Sequence, residues 1–371
     1  MKEGLSCPLC GFEGEFAPDL LRCPACGAPL RFRGELPGIE PGDLRGRGVW
    51  RYGPFLPRVE PVSLGEGSTP LIPSRRLGQE LELDLFFKLE YLNPTGSFKD
   101  RGATVMVSVL REVGVEAVAD DSSGNAAAAL AAYASRAGMR AVLFVPAYAS
   151  GPKLSQIRAY GAELRPVPGP RGKAREEALR ACRDEGLMYA SHNESAFYIE
   201  GLKTVAFEIF EDLSLDVPDY VVLPLGGGSL FLGLVEGFRE LMELGWSDSL
   251  PAFGVVQSDA CAPIVGALER GLLEPVPVES ARSVAEGVLV AAPPRGREIL
   301  RELRDLQGLG TAVGDEEVLV AQRDLAREEG LYVEPTSALA LAGLRACVTQ
   351  GRIPTGSRVV LVLTGSGLKA G

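Results

Sequence analysis

Apolar residues follow two rhythms along this 371-residue chain. Short runs rich in β-branched and aromatic residues, at 85–90, 117–120, 141–146, 220–225 and 359–363, have the length of buried strands. Longer stretches with helical spacing lie at 103–113, from 126 to about 138, and at 153–160, the last stopped by Gly161. Repeated strand–loop–helix units predict an α/β fold with mostly parallel, twisted sheets and helices on both faces. Ligands in such folds sit outside the carboxyl ends of the strands. The runs at 220–225 and 359–363 each meet a glycine-containing loop there. The most apolar stretch, 126–149, is broken by Ser135, Arg136 and Arg140, so it reads as a helix followed by a strand and not as a membrane span. No internal repeat or low-complexity tract is visible.

Length and charge narrow the picture. A chain this long predicts two main domains plus an appendage. With 38 basic against 49 acidic residues, the net charge of −11 argues against nucleic acid or an anionic membrane as the main partner. The polar start gives no secretory leader, and a cytoplasmic protein is expected.

Four of the seven cysteines fall within the first 26 residues. Cys7-Pro8-Leu9-Cys10-Gly11 and Cys23-Pro24-Ala25-Cys26-Gly27 form two knuckles, each able to bite one metal ion. Four thiolates suit a structural, tetrahedral Zn2+ with no open position for catalysis. A degenerate ribbon with free thiols is the alternative. Residues 1–34 therefore stand apart as a zinc-ribbon-like segment, followed by a Pro/Gly-rich connector to about residue 67. Cys182, Cys261 and Cys347 are scattered and read as small buried hydrophobes.

Candidate chemistry concentrates at Asn93-Pro94-Thr95-Gly96-Ser97-Phe98-Lys99-Asp100-Arg101-Gly102. The first four residues predict a turn that fixes the stem of Lys99. A lysine amine held in this way and partly desolvated can act as a nucleophile or as a Schiff-base partner for an aldehyde cofactor. The chain has only seven lysines among its 38 basic residues, so this one is less interchangeable than most.

Several loops could complete a site. Leu225-Gly226-Gly227-Gly228-Ser229-Leu230 lets backbone amides and a helix start converge on an anion. Glycine runs also make plain turns, and this one is neither a P-loop nor a full dinucleotide fingerprint. Ser122-Ser123-Gly124-Asn125 could grip a carboxylate or a phenolic oxygen, or be an ordinary helix cap. Thr364, in Leu363-Thr364-Gly365-Ser366-Gly367, could present a hydroxyl to a heterocyclic nitrogen, or simply lie in a turn. His192 is the single histidine. It reads as structural, which leaves Lys99 as the simplest proton carrier.

These loops, with Gly65-Glu66-Gly67-Ser68-Thr69-Pro70-Leu71 and Glu334-Pro335-Thr336-Ser337-Ala338, resemble the threonine synthase family in residues and in order. That family belongs to the fold type II, tryptophan-synthase-β-like pyridoxal-phosphate enzymes. The resemblance implies that Lys99 bonds the cofactor aldehyde, with Phe98 beside it. It implies that Asn125 meets the phenolic oxygen, that Gly226, Gly227, Gly228, Ser229 and Leu230 cradle the phosphate, and that Thr364 faces the pyridine nitrogen. Ser122 and Ser123 fall where the family grips the substrate carboxylate. It also implies two three-layer domains, a large cofactor-binding one from 35–105 and 205–371 and a smaller substrate-side one from 106–204. A homodimer is a further implication. The implied reaction converts O-phosphohomoserine and water to threonine and phosphate.

One departure bears on the substrate. Counting back from Glu200-Gly201, Tyr198 stands where the family carries an arginine for the substrate phosphate. A tyrosine offers one neutral donor in place of a charged fork. Ala285-Glu286-Gly287 also looks more like serine/threonine dehydratases. A dehydratase, a β-replacement enzyme on O-phosphoserine (cysteate-synthase-like) and a non-catalytic homologue therefore stay open as alternatives.

Overall fold

The computed structural model describes residues 3–149, 151–169, 171–279 and 281–369. Among the described residues there are three sheets. Gly4–Ser6 pairs antiparallel with Glu13–Glu15 and with Arg31–Arg33 to form a small three-stranded sheet. Four parallel strands run in the order Glu163–Val167, Arg140–Pro146, Ala117–Asp120, Met188–Tyr189. Six strands run in the order Leu309–Val313, Ala252–Ser258, Tyr220–Pro224, Arg358–Val362, Asp84–Lys88, Leu71–Pro73. All pair parallel except Leu71–Pro73, which lies antiparallel on the edge. The expected mostly parallel α/β architecture with a small amino-terminal ribbon is what the structure has.

By Cα proximity the chain forms two compact units. One comprises the described residues up to Gly67, Asn93–Leu202 and Lys369; the other comprises Ser68–Leu92 and Lys203–Leu368. Residues 35–67 and 93–105, grouped with 205–371 in the sequence reading, fall in the first unit.

Each unit has its own core. In the first, Ala119, Val142, Phe144, Ala174, Ala178 and Tyr189 pack the four-stranded sheet against the helix Arg171–Glu185. In the second, Leu85, Phe87, Val222, Val256, Leu339, Leu341 and Leu361 pack the six-stranded sheet around the helix Pro335–Thr349. Continuous apolar strands such as Val221, Val222 and Leu223 are buried on both faces, as parallel strands between helices must be. Among the described residues, no helix is long and apolar enough to cross a membrane.

Boundaries shift where glycine or polar residues disguise a helix. The helix expected at 103–113 spans Lys99–Glu112 and so starts at the candidate lysine itself. Gly102 lies inside it because the Tyr198 ring occupies the space a Cβ would need. The helices Asn125–Ala137 and Pro152–Ala159 and the strand Arg140–Pro146 lie within a few residues of expectation.

Candidate functional site

In the first unit, the predicted turn is present: the Gly96 amide donates to the Asn93 carbonyl at 2.8 Å, and Gly96 adopts φ 85. Lys99 follows as the first residue of its helix, half-buried, with Nζ 4.5 Å from the Phe98 ring centroid and 5.9 Å from that of Tyr198. Asp100 is fully buried and reaches back to the turn, accepting the Thr95 amide at 2.6 Å and the Thr95 hydroxyl. Two donors would lower its pKa, but burial outweighs them and raises it to about 7. The sequence reading assigned Asp100 no role, although it sits inside the motif. Its signal is a carboxylate beside a β-turn, where it can tie the loop.

Ser122, Ser123 and Gly124 join the strand Ala117–Asp120 to the helix Asn125–Ala137. The Gly124 amide donates to Ser122 Oγ at 3.3 Å. Gly124 is the residue at the helix start, and no side chain caps it. The loop is therefore not an ordinary side-chain cap. It offers helix-start amides together with the hydroxyls of Ser122 and Ser123 and the amide side chain of Asn125.

Tyr198 is 1% exposed and lies across the lysine helix at Gly102. Its hydroxyl donates to the Lys99 backbone carbonyl at 2.9 Å. Burial pushes the phenol well above its ordinary pKa, so it remains a neutral donor. His192 rests on Asp120, with Nδ1 3.1 Å from the carboxylate, and its ring edge faces Tyr198 at 6.2 Å.

In the second unit, Gly226, Gly227 and Gly228 leave the strand Tyr220–Pro224 and open the fifteen-residue helix Ser229–Glu243. Gly228 adopts φ 85, and a Cβ there would overlap the Ile299 side chain. Only glycine combines that backbone with that contact. No side chain caps this helix either, so its first amides face the loop. Ser229 and Leu230 are buried at 3% exposure. Gln257, unremarked in the sequence, supports the loop by donating to the Leu225 carbonyl at 3.3 Å.

Thr364 follows the strand Arg358–Val362. Its amide donates to Ser337 Oγ at 2.8 Å, which gives the Glu334-Pro335-Thr336-Ser337-Ala338 motif a supporting role. Its hydroxyl oxygen is buried without a hydrogen-bond partner among the described residues. A buried hydroxyl of this kind suits a heterocyclic nitrogen that can share its proton. The uncapped glycine loop likewise suits a phosphate. The residues present thus fit a pyridoxal-phosphate ring and its phosphate.

The sulfurs of Cys7, Cys10, Cys23 and Cys26 all lie within 4.8 Å of one another, with Cys7 to Cys26 at 3.4 Å and Cys10 to Cys23 at 3.6 Å. Four sulfurs bound tetrahedrally at about 2.3 Å stand about 3.8 Å apart, so the cluster fits one metal ion. Burial pushes the Cys7 thiol up to about 12. Against the burial that would raise it, the amides of Cys26 and Ala25 bring Cys23 down to about 7. Amides that favour thiolates are the setting a metal knuckle needs.

Residues 62–365 match the family model described as pyridoxal-phosphate dependent enzyme. The chain is 40% identical over 325 residues to a threonine synthase of Methanosarcina acetivorans, covering 86% of this chain and 80% of that protein. It is 38% identical over 328 residues to a threonine synthase of Methanocaldococcus jannaschii, covering 87% and 80%. A solved structure of the processed form of threonine deaminase isoform 2 from Solanum lycopersicum superposes with a TM-score of 0.73 at 24% identity, covering 90% of this chain and 95% of that one, and shares the fold. The chain belongs to the threonine synthase family of pyridoxal-phosphate-dependent, fold type II carbon–oxygen lyases.

Proposed function

We propose that this enzyme converts O-phosphohomoserine and water to threonine and phosphate, with Lys99 as its catalytic lysine. The buried hydroxyl of Thr364, without a hydrogen-bond partner among the described residues, is the observation that carries the cofactor part of this reading. It is neutral, so it supports a pyridine nitrogen without the full positive charge that a carboxylate partner would stabilise. Bound pyridoxal phosphate supplies an electron sink for the carbanion formed when a proton leaves the substrate.

The chain's own residues do the rest. Lys99 would hold the cofactor, and its amine is the group that takes protons from the substrate's Cα and then Cβ. The Phe98 ring beside that amine limits its water contact. Asn125 orients the phenolic oxygen, while Ser122 and Ser123 take the substrate carboxylate at an uncapped helix start. Gly226, Gly227, Gly228, Ser229 and Leu230 hold the cofactor phosphate through backbone amides and one hydroxyl. Structural zinc on Cys7, Cys10, Cys23 and Cys26 completes the assignment, and we read the enzyme as a cytoplasmic homodimer.

Tyr198 favours a second reading. Its single donor already serves the Lys99 carbonyl, so it brings no charged fork to a phosphate leaving group. Elimination from serine or threonine, which carry a free hydroxyl and no phosphate, needs no such fork. A panel of free and phosphorylated hydroxy amino acids separates the readings. Threonine and phosphate from O-phosphohomoserine support the first, and 2-oxoacid from serine or threonine with no turnover of O-phosphohomoserine rejects it. Tyr198→Arg should shift preference among phosphorylated substrates. An unchanged profile would remove Tyr198 from substrate recognition.

A further inference from the structure

We propose that the amino-terminal four-cysteine segment is a positioning element for the lysine helix, acting through Phe197 and Tyr198. This rests on the reading of Lys99 as the cofactor lysine. Phe16 and Phe32, on the segment, bracket Phe197 with ring centroids 5.2 Å and 5.8 Å away. Phe197 is 2% exposed, so its ring is enclosed where the segment's two rings meet it. One residue before Cys23, Arg22 Nε lies 2.6 Å from the Glu194 carboxylate, which is 2% exposed and also binds Arg175. Two independent contacts, one aromatic and one ionic, thus tie the segment to residues 194–197.

The next residues face the lysine. Tyr198 lays its ring on Gly102 and donates its hydroxyl to the Lys99 carbonyl at 2.9 Å. At Gly201 the backbone comes so close to the Arg101 carbonyl that a Cβ would overlap it. Phe197 and Tyr198 lie in the first turn of the helix Ala196–Asp212, where adjacent side chains point about 100° apart, so Phe197 can face the ribbon while Tyr198 faces Lys99. Releasing Phe197 therefore frees the turn that carries Tyr198. The Lys99 carbonyl then loses a fixed donor, and with it the orientation of the bond from which the lysine side chain extends. Phe16, Phe32 and Arg22 are positioning residues in this scheme, since none touches the reacting atoms.

The full-length holoenzyme tests this through Phe16→Ala and Arg22→Gln, with Phe16→Tyr as the conservative control. Borohydride labelling of the wild type at Lys99 is read first, and its failure would reject the cofactor-lysine reading independently of the coupling. Given the label, Phe16→Ala should speed amide exchange in residues 99–104 and 198–201 by about tenfold, the scale of one lost aromatic pair. It should also change the visible circular dichroism of the bound cofactor and lower kcat more than it raises KM, and Phe16→Tyr should restore all three. If Phe16→Ala does not fold, Arg22→Gln, which leaves the rings intact, should still give the same signatures at smaller amplitude. Faster exchange confined to residues 3–34, with unchanged dichroism and kcat in the variant that folds, would overturn the proposal.

Discussion

The helices Ser229–Glu243 and Asn125–Ala137 each follow a parallel strand through a loop that ends in glycine, and neither glycine is relieved by a side-chain cap. Their glycines differ. Gly228 takes φ 85 with Ile299 packed where a side chain would go, whereas Gly124 takes φ −116 with nothing within 4 Å of a built Cβ. In the first loop, where the proposed function puts a phosphate, a side chain is excluded at Gly228, and such backbone suits a multiply charged, roughly spherical group. In the second, Ser122, Ser123 and Asn125 surround the helix start with directional donors and acceptors. That suits planar oxygens such as a carboxylate or a phenolate. Two helix starts of similar length thus differ in what their glycine is made to do, and the proposed function assigns them different ligands accordingly.

Substitutions at the two glycines sharpen this contrast. Gly228→Ala should cost about 2–4 kcal/mol, combining a left-handed backbone with overpacking against Ile299. Denaturant unfolding and cofactor titration would both register it, and wild-type affinity in that variant would contradict the backbone-cradle account. The lysine helix tests the opposite case, a loop tied by a side chain. Burial raises Asp100 from 3.8 to about 7, so folding favours its protonated form. The resulting stability is fully present below about pH 4 and is lost as pH rises through about 7. Stability measured against pH should therefore favour Asp100→Asn over wild type by on the order of 1 kcal/mol more per pH unit across that window. A constant difference would remove the buried carboxyl from the turn's energetics. The smallest effect is expected of Gly124→Ala, within about 1 kcal/mol, because its backbone and surroundings accept a methyl group. A loss as large as that at Gly228 would erase the distinction between the loops.

Much of this was legible in the chain. Residues 117–146 and 220–225 announced strands and helices because apolar runs and glycine stops are local signals. The four cysteines announced their cluster by spacing alone. Local signals failed where a distant residue decided the outcome. The lysine helix begins at Lys99 and not near Ala103, and the glycine that disguised its first turn, Gly102, packs against Tyr198, almost a hundred positions away. The edge strand Leu71–Pro73 went unread because three residues carry no periodicity. Tyr198 was read only for the arginine it replaces. Its hydrogen bond to the Lys99 carbonyl belongs to tertiary structure and has no sequence signature. The support of Thr364 by Ser337 and of Leu225 by Gln257 is equally long-range.

The central claim is that Lys99 carries the cofactor, and borohydride reduction of the holoenzyme followed by peptide mapping tests it most directly. The account predicts one reduced cofactor per chain, on the peptide containing Lys99, and neither label nor turnover in Lys99→Ala. A label on another lysine, such as Lys88 or Lys203, or full activity in Lys99→Ala, would contradict it.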